Sequence, residues 1–166
     1  MKKEIINPDL ALKAPKIVEL EPKNLIYVSL KGAYGSLNYE WAYQQLWAVI
    51  KEQKLFTKGI ESICISHDDP KITEADLQRT DVCLAIHKPA QPSGEVSCKQ
   101  LAGGKYAVFF YQGSYSNLGA VCDEAMRWVV NSEYELRDEP IFEKYLNDRR
   151  RTPEEKLKTE VYIPLK

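Results

Sequence analysis

The stretch Gly32-Ala-Tyr34-Gly-Ser-Leu37 occurs again, in related form, as Gly113-Ser-Tyr115-Ser-Asn-Leu118. The same offset carries Trp47 onto Trp128. With a small deletion, Thr80-Asp-Val82-Cys-Leu84-Ala-Ile86 also matches Thr159-Glu-Val161-Tyr-Ile163-Pro-Leu165. The chain is therefore predicted to consist of two diverged copies of one structural unit.

Each copy is predicted to run strand, helix and then a β-hairpin. β-Branched and aromatic residues precede each repeated glycine, and apolar residues follow it at helical spacing. The predicted strands are 24–31 and 105–112, the helices about 37–53 and 117–131, the hairpins 60–67 with 79–87 and 141–146 with 158–165, and the extra leading strands 16–20 and 95–101. These elements indicate an α+β fold of tandem duplicated β-α-β-β units. We expect two antiparallel sheets, with helices on one side and a ligand groove on the other.

The length favours one domain over residues 1–166, built from pseudo-repeats of about 16–88 and 95–166. The linker Lys88-Pro-Ala-Gln-Pro-Ser-Gly94 is rich in proline and glycine, as surface connections are. The segments outside the repeats are too short for a helix-turn-helix module. An appended DNA reader is therefore not expected.

Charge and the N-terminal sequence narrow the classes of partner. The 166 residues include 23 Lys+Arg and 24 Asp+Glu, for a net charge of −1, which disfavours direct DNA binding. Residues 1–9 lack the apolar run that a secretory signal or a membrane span would need. We expect a cytoplasmic protein without a membrane partner.

The four cysteines are spread along the chain without a CxxC motif. Cys64-x-x-His67 and Cys83-x-x-x-His87 could in principle supply a Cys2His2 metal set. In a hairpin that pairs the two cysteines, however, the two histidines would fall at opposite ends. We expect reduced thiols, no metal and no cofactor.

Tyrosine outnumbers phenylalanine, 10 to 4, and strand alternation predicts where these rings lie. The residues expected to face the helices are Ile26, Val28, Leu30, Ile63, Ile65, Val82, Leu84, Ala107, Phe109, Phe142, Val161 and Ile163. Those expected on the opposite face are Tyr27, Ser29, Cys64, Cys83, Tyr106, Val108, Phe110, Glu143, Tyr145 and Tyr162. An aromatic face with one carboxylate suits flat or cationic organic ligands. The alternative is that the tyrosines merely cover the sheet, with their hydroxyl groups in water.

Glu143 is the most informative single residue, because the equivalent position in the first copy is the neutral Cys64. The fold therefore does not require a charge there. A ligand-binding carboxylate and a solvated edge glutamate are both consistent with the sequence. The run Arg149-Arg150-Arg151 lies in the second hairpin loop, where it is either a solvated segment or a site for phosphate or a partner.

Several motifs in combination resemble the GyrI-like small-molecule-binding domains. They are Gly103-Gly104-Lys-Tyr106, Gly113-x-Tyr115, Pro140-x-Phe142-Glu143-x-Tyr145-Leu-Asn147-Asp148 and Thr159-Glu-Val161-Tyr162-Ile163-Pro164-Leu165. That family includes the DNA gyrase inhibitory protein and the effector-binding domains of AraC-type and multidrug-sensing transcription regulators. The resemblance implies a doubled β-α-β-β domain with Glu143 at the centre of a groove for cationic or hydrophobic ligands.

Three functions follow from the residues and the resemblance together. The first is a stand-alone sensor or sequestering protein for amphipathic, cationic or aromatic small molecules, acting alone or beside a separate regulator. The second is inhibition of DNA gyrase by protein–protein contact. The third is hydrolysis of a reactive small molecule, with Glu143 as general base and Tyr145 or Tyr162 orienting the substrate. The sequence offers no second obvious catalytic group, so binding is preferred over catalysis.

Overall fold

The computed structural model describes residues 4–166, which divide into two compact units. One unit, Pro22–Ala102, is called the Asp81 unit here. The other combines residues 4–21 with Gly103–Lys166 and is called the Glu143 unit. Each unit holds a four-stranded antiparallel arrangement and one α-helix, so the predicted α+β fold of duplicated β-α-β-β units is confirmed.

In the Asp81 unit the strands lie in the order β5-β6-β4-β7. The helix α1 begins after Asn38, whose side-chain oxygen accepts the backbone N–H of Trp41 and so caps the first turn. Ala42, Leu46, Val49 and Ile50 form its buried stripe. The elements are β4 (Lys23–Lys31), α1 (Tyr39–Glu52), β5 (Glu61–Ser66), β6 (Arg79–Ile86) and β7 (Ser97–Leu101).

In the Glu143 unit the strands lie in the order β3-β8-β10-β9, and a small two-stranded sheet, β1-β2, adjoins the helix. The buried residues of α2 pack on Ala107 and Phe109 of β8 and on Val161 and Ile163 of β10. The elements are β1 (Ile5–Asn7), β2 (Leu12–Lys13), β3 (Lys16–Leu20), β8 (Gly104–Gln112), α2 (Leu118–Val130), β9 (Phe142–Tyr145) and β10 (Lys158–Leu165).

The leading strands are exchanged relative to the sequence repeats. β3 precedes the first copy but pairs with β8, the first strand of the second copy. β7 precedes the second copy but pairs with β4 of the first. The compact units are therefore not the contiguous pseudo-repeats that the sequence comparison delimits.

Two matching tryptophans differ in their surroundings. Trp128 on α2 packs edge-on against Phe109 and stacks on Tyr134. Trp47, at the matching position on α1, is 41% exposed. Within residues 4–166, neither helix combines the length and the apolar character needed to cross a membrane.

Candidate functional site

Glu143 lies at the centre of the candidate site, on β9 beneath α2. Val161 of β10 pairs directly with Glu143, and direct partners in an antiparallel ladder share a face of the sheet. Val161 belongs to the core beneath α2, so Glu143 points toward the helix. The buried part of this carboxylate therefore contacts the helix and the adjoining strands, and the rest is open to a ligand.

Two neutral donors hold the Glu143 carboxylate. The Tyr145 hydroxyl donates to Oε2 at 2.7 Å. The Cys122 thiol, on α2, donates to Oε1 at the longer distance of 3.6 Å. Neither donor carries a positive charge. The oxygen that faces the helix therefore has the weaker of the two partners.

Burial dominates the electrostatics of this group. Loss of hydration raises the pKa of Glu143, and the hydrogen bonds from Tyr145 and Cys122 only partly oppose that rise. Burial, together with the neighbouring Glu143 carboxylate, raises the pKa of the Cys122 thiol. The thiol therefore stays protonated, which makes it a poor nucleophile and keeps its proton available for the hydrogen bond to Glu143.

The turn before α2 supports Tyr145. Its ring lies 5.3 Å, centre to centre, from the ring of Tyr115 in the 3-10 turn Tyr115–Asn117. Gly113 opens that turn with φ +149°, and a Cβ there would lie 2.5 Å from the Tyr111 hydroxyl oxygen. The repeated Gly-x-Tyr motif therefore places an aromatic ring against the tyrosine that holds Glu143.

The predicted face of β9 is wrong. Glu143 and Tyr145 were expected to share a face with Tyr106 and Tyr162, away from the helix, whereas they lie on the helix side. Phe142 was expected in the helix-facing core, whereas it pairs with Tyr162 on the other face. A shift of one residue in strand register exchanges the two faces, and the long hairpin loop did not define that register.

Aromatic side chains cluster on the face of the Glu143 unit away from α2. Phe142 and Tyr162 stack with ring centres 4.5 Å apart, and Tyr106 meets Phe142 edge-on at 5.4 Å. All three side chains are buried. Burial and the nearby Glu160 raise the pKa of Tyr162 to about 12. Val108 and Phe110 share this face as predicted; Val108 is buried and Phe110 is 48% exposed.

Comparison with known proteins places this geometry in a family. Residues 13–166 match the GyrI-like small molecule binding domain. The chain belongs to that family. The resemblance expected from the motifs is confirmed over nearly the whole described chain.

Relatives of this GyrI-like chain include regulators and a ligand complex. A protein of Escherichia coli K12 described as a probable transcriptional regulator, YgiV, is 30% identical over 132 residues, covering 78% of this chain and 81% of that protein. A chain in the cryo-EM structure of the EcmrR–DNA complex has the same fold, with a TM-score of 0.79 and 16% sequence identity. The similarity covers 93% of this chain and 57% of that chain. SAV2435, solved bound to tetraphenylphosphonium, has a TM-score of 0.57 and 19% identity, covering 92% of this chain and 93% of its own.

The Asp81 unit of this GyrI-like chain carries a neutral counterpart of the Glu143 site. Cys64 pairs directly with Val82 and lies on the α1 side, so its predicted position on the opposite face is wrong. The hydroxyl groups of Tyr43, on α1, and Ser62 lie 2.6 Å apart on the same side. Here a tyrosine and small neutral groups stand where the other unit has a carboxylate.

The face of the Asp81 unit away from α1 carries residues that were predicted there and others that were not. Tyr27 pairs with Cys83, and both occupy that face as predicted. Ile63 pairs with Cys83 and Ile65 with Asp81, so their predicted helix-facing positions are wrong for the same reason as in β9. Sequence reasoning missed Asp81 as a site residue, although Asp81 alternates with Cys83 along β6 and the repeat aligns it with the acidic Glu160.

Metal ligation is not suggested by the side chains in residues 4–166, since no three His, Cys, Asp or Glu groups cluster there. His67 bonds Asp81, and His87 bonds the carbonyl of Gly59. Arg149, Arg150 and Arg151 are exposed, and Arg150 pairs with Asp148.

Two shallow depressions of about 310 and 380 Å³ lie on the Glu143 unit, away from Glu143. The first is lined by residues of α2 around Trp128, and the second by the turn around Gly113. The carboxylate in the first depression, Glu124, is paired with Arg127. The carboxylates in the second, among them Glu154 and Glu155, are exposed. The half-buried Glu143 therefore remains the candidate.

Proposed function

We propose that this GyrI-like domain is a receptor for amphipathic organic cations, with Glu143 as the group that recognises the positive charge. The observation that carries the proposal is a half-buried carboxylate held by two neutral donors, Tyr145 and Cys122. Such a carboxylate is poorly solvated, so a cation that reaches it restores a charge partner. The complex of the structural neighbour SAV2435 with tetraphenylphosphonium is consistent with this ligand class.

The two oxygens of Glu143 are proposed to have different roles. Oε2 accepts the shorter bond, from Tyr145, and stays oriented by it. Oε1 gives up the weak bond from Cys122 and turns to the ligand. Because Cys122 belongs to α2, this exchange breaks a hydrogen bond between the helix and β9. The aromatic rings of Tyr145 and Tyr115 then supply π-faces for the ligand.

Binding of tetraphenylphosphonium, followed by isothermal titration calorimetry, tests the proposal. Wild-type protein should bind this cation, and Glu143→Gln should lose about tenfold or more in affinity, which is about 1.4 kcal/mol. Glu160→Gln is the matched control, since it removes a carboxylate from the opposite face of the same sheet. It should leave the affinity unchanged.

Two outcomes would reject this function. Equal affinity for the neutral triphenylphosphine oxide would show that charge is not recognised. A loss of binding in Glu160→Gln but not in Glu143→Gln would place the ligand on the aromatic face around Tyr162 instead. Far-UV circular dichroism of each variant separates lost binding from lost folding.

A second candidate, hydrolysis, is favoured by the raised pKa of Glu143, because a base that titrates nearer neutrality is better matched to activating water. The Tyr145 hydroxyl is placed to orient the carboxylate. Release of p-nitrophenol from p-nitrophenyl acetate tests it. Turnover by wild type and Glu160→Gln, but not by Glu143→Gln, would support this candidate, and equal rates in all three would reject it.

A further inference from the structure

A second carboxylate lies beside an aromatic ring in the Asp81 unit, on the face of the sheet away from α1. Ser29 pairs with Asp81, and Tyr27 with the neighbouring Cys83. Lys99 of β7 pairs with Leu25, two residues from Tyr27 along β4. Strand alternation therefore brings Tyr27, Asp81 and Lys99 onto one face.

The Asp81 carboxylate is held from several directions. Its side chain is only 8% exposed. The Ser29 hydroxyl donates to Oδ1 at 2.6 Å, and His67 Nε2 lies 2.6 Å from Oδ2. Lys99 Nζ forms an ion pair with the same Oδ2. Burial opposes ionisation of Asp81, but the bonds from Lys99, Ser29 and His67 outweigh it and lower the pKa of this carboxyl.

The ammonium group of Lys99 makes a second contact that a simple ion pair does not need. Its Nζ lies 4.2 Å from the centre of the Tyr27 ring. One positive group is thus placed between a buried carboxylate and an aromatic face. That pair of contacts is the arrangement by which proteins bind ligand cations. Lys99 occupies it as a ligand tethered to the chain.

We propose that Asp81 and Tyr27 form a second cation site, specific for primary alkylammonium groups, and that Lys99 fills this site in the unliganded protein. The Lys99 side chain is 29% exposed, so its ammonium can swing into water, where it is strongly hydrated. A free alkylammonium ion then takes its place, and the charge of the cluster does not change. Ser29 and His67 keep the carboxylate in position during the exchange.

The selectivity follows from the contacts that Lys99 makes. A primary ammonium group has three N–H donors and can bond Asp81 Oδ2 while its alkyl chain follows the path of the lysine side chain. A quaternary ammonium ion has no N–H group to donate. This site is therefore distinct in ligand class and in location from the Glu143 site, and it does not depend on the function proposed there.

Chemical rescue of Lys99→Ala by n-butylammonium tests the proposal. The substitution removes the tethered ammonium and leaves space for the probe. We expect n-butylammonium to raise the melting temperature of Lys99→Ala by several degrees more than that of wild type. Neutral n-butanol and sodium chloride at equal ionic strength should not. Lys99→Met, which refills the space without a charge, is the matched control and should not be rescued.

A second measurement uses the wild-type protein and so does not depend on whether the variant folds. Lys99 methylene protons beside the Tyr27 ring should show upfield ring-current shifts in the NMR spectrum. Saturating n-butylammonium should move them toward solvent-exposed values, with an apparent affinity about tenfold weaker than for Lys99→Ala because the tethered lysine competes. The proposal is overturned if these shifts persist at saturation, or if n-butanol or tetramethylammonium stabilises Lys99→Ala as well as n-butylammonium does.

Discussion

Glu143 lowers the stability of the folded chain at neutral pH, because burial penalises its charged form and raises its pKa. A carboxyl group with a raised folded-state pKa carries this penalty above that pKa and loses it as the pH falls below the ordinary value of 4.5. We therefore expect Glu143→Gln to be more stable than wild type at neutral pH, by about 1 kcal/mol. Urea unfolding across the pH range measures the difference, which should vanish in acid. A variant less stable than wild type at neutral pH would contradict the charge penalty.

Tyr145 sets how strongly Glu143 is ionised. Its hydrogen bond lowers the pKa that burial raises, so Tyr145→Phe should raise the pKa of Glu143 further. Cation affinity should increase with pH as Glu143 ionises, and the midpoint of that increase should move to higher pH in the variant. Calorimetric titrations at a series of pH values measure the midpoint in wild type and in the variant. Tyr43→Phe, which removes a hydroxyl beneath α1, is the control, and an unshifted midpoint in Tyr145→Phe would contradict the role of Tyr145.

At the scale of elements, the sequence predicted the buried faces of four strands correctly and those of two strands incorrectly. The faces of β4, β6, β8 and β10 follow from their apolar alternation, and each is confirmed. β5 and β9 were assigned to the wrong faces, since each lies between two long connections that leave its register undefined. An aromatic cross-strand pair could have indicated the correct face of β9. Phe142 lies opposite Tyr162 in the structure, whereas the predicted faces put these two rings on opposite sides of the sheet.

The β9–β10 register makes a prediction of its own. Phe142 and Tyr162 stack across the two strands, and such aromatic pairs contribute about 1 kcal/mol beyond their burial. A double-mutant cycle with Phe142→Leu and Tyr162→Leu should give a coupling free energy of that size in urea unfolding. A second cycle between Phe142 and Phe109, which lies on the α2 side, should give a coupling near zero. Equal coupling in the two cycles would contradict the observed faces.

At the scale of the whole molecule, the duplicated unit has kept its fold while its two copies diverged in chemistry. The position beneath the helix is an acid in one unit, Glu143, and a thiol in the other, Cys64. Away from the helix each unit instead keeps an acid paired with a lysine, Asp81 with Lys99 and Glu160 with Lys144. The exchanged leading strands, β3 and β7, make each unit depend on chain from outside its own repeat. Each unit therefore needs a strand from outside its own repeat to complete its four strands.

The difference between Glu143 and Cys64 predicts that a lipophilic cation protects the Glu143 unit more than the Asp81 unit. Tetraphenylphosphonium at about one hundred times its dissociation constant should stabilise the wild-type protein by about 2.7 kcal/mol against unfolding. Hydrogen exchange should slow most at the amides of β9 and α2, because these elements carry Glu143, Tyr145 and Cys122. The amides of α1 lie over the neutral counterpart and should change less. Glu143→Gln should lose the ligand-dependent protection, and equal protection of α1 and α2 in wild type would contradict a single carboxylate-centred site.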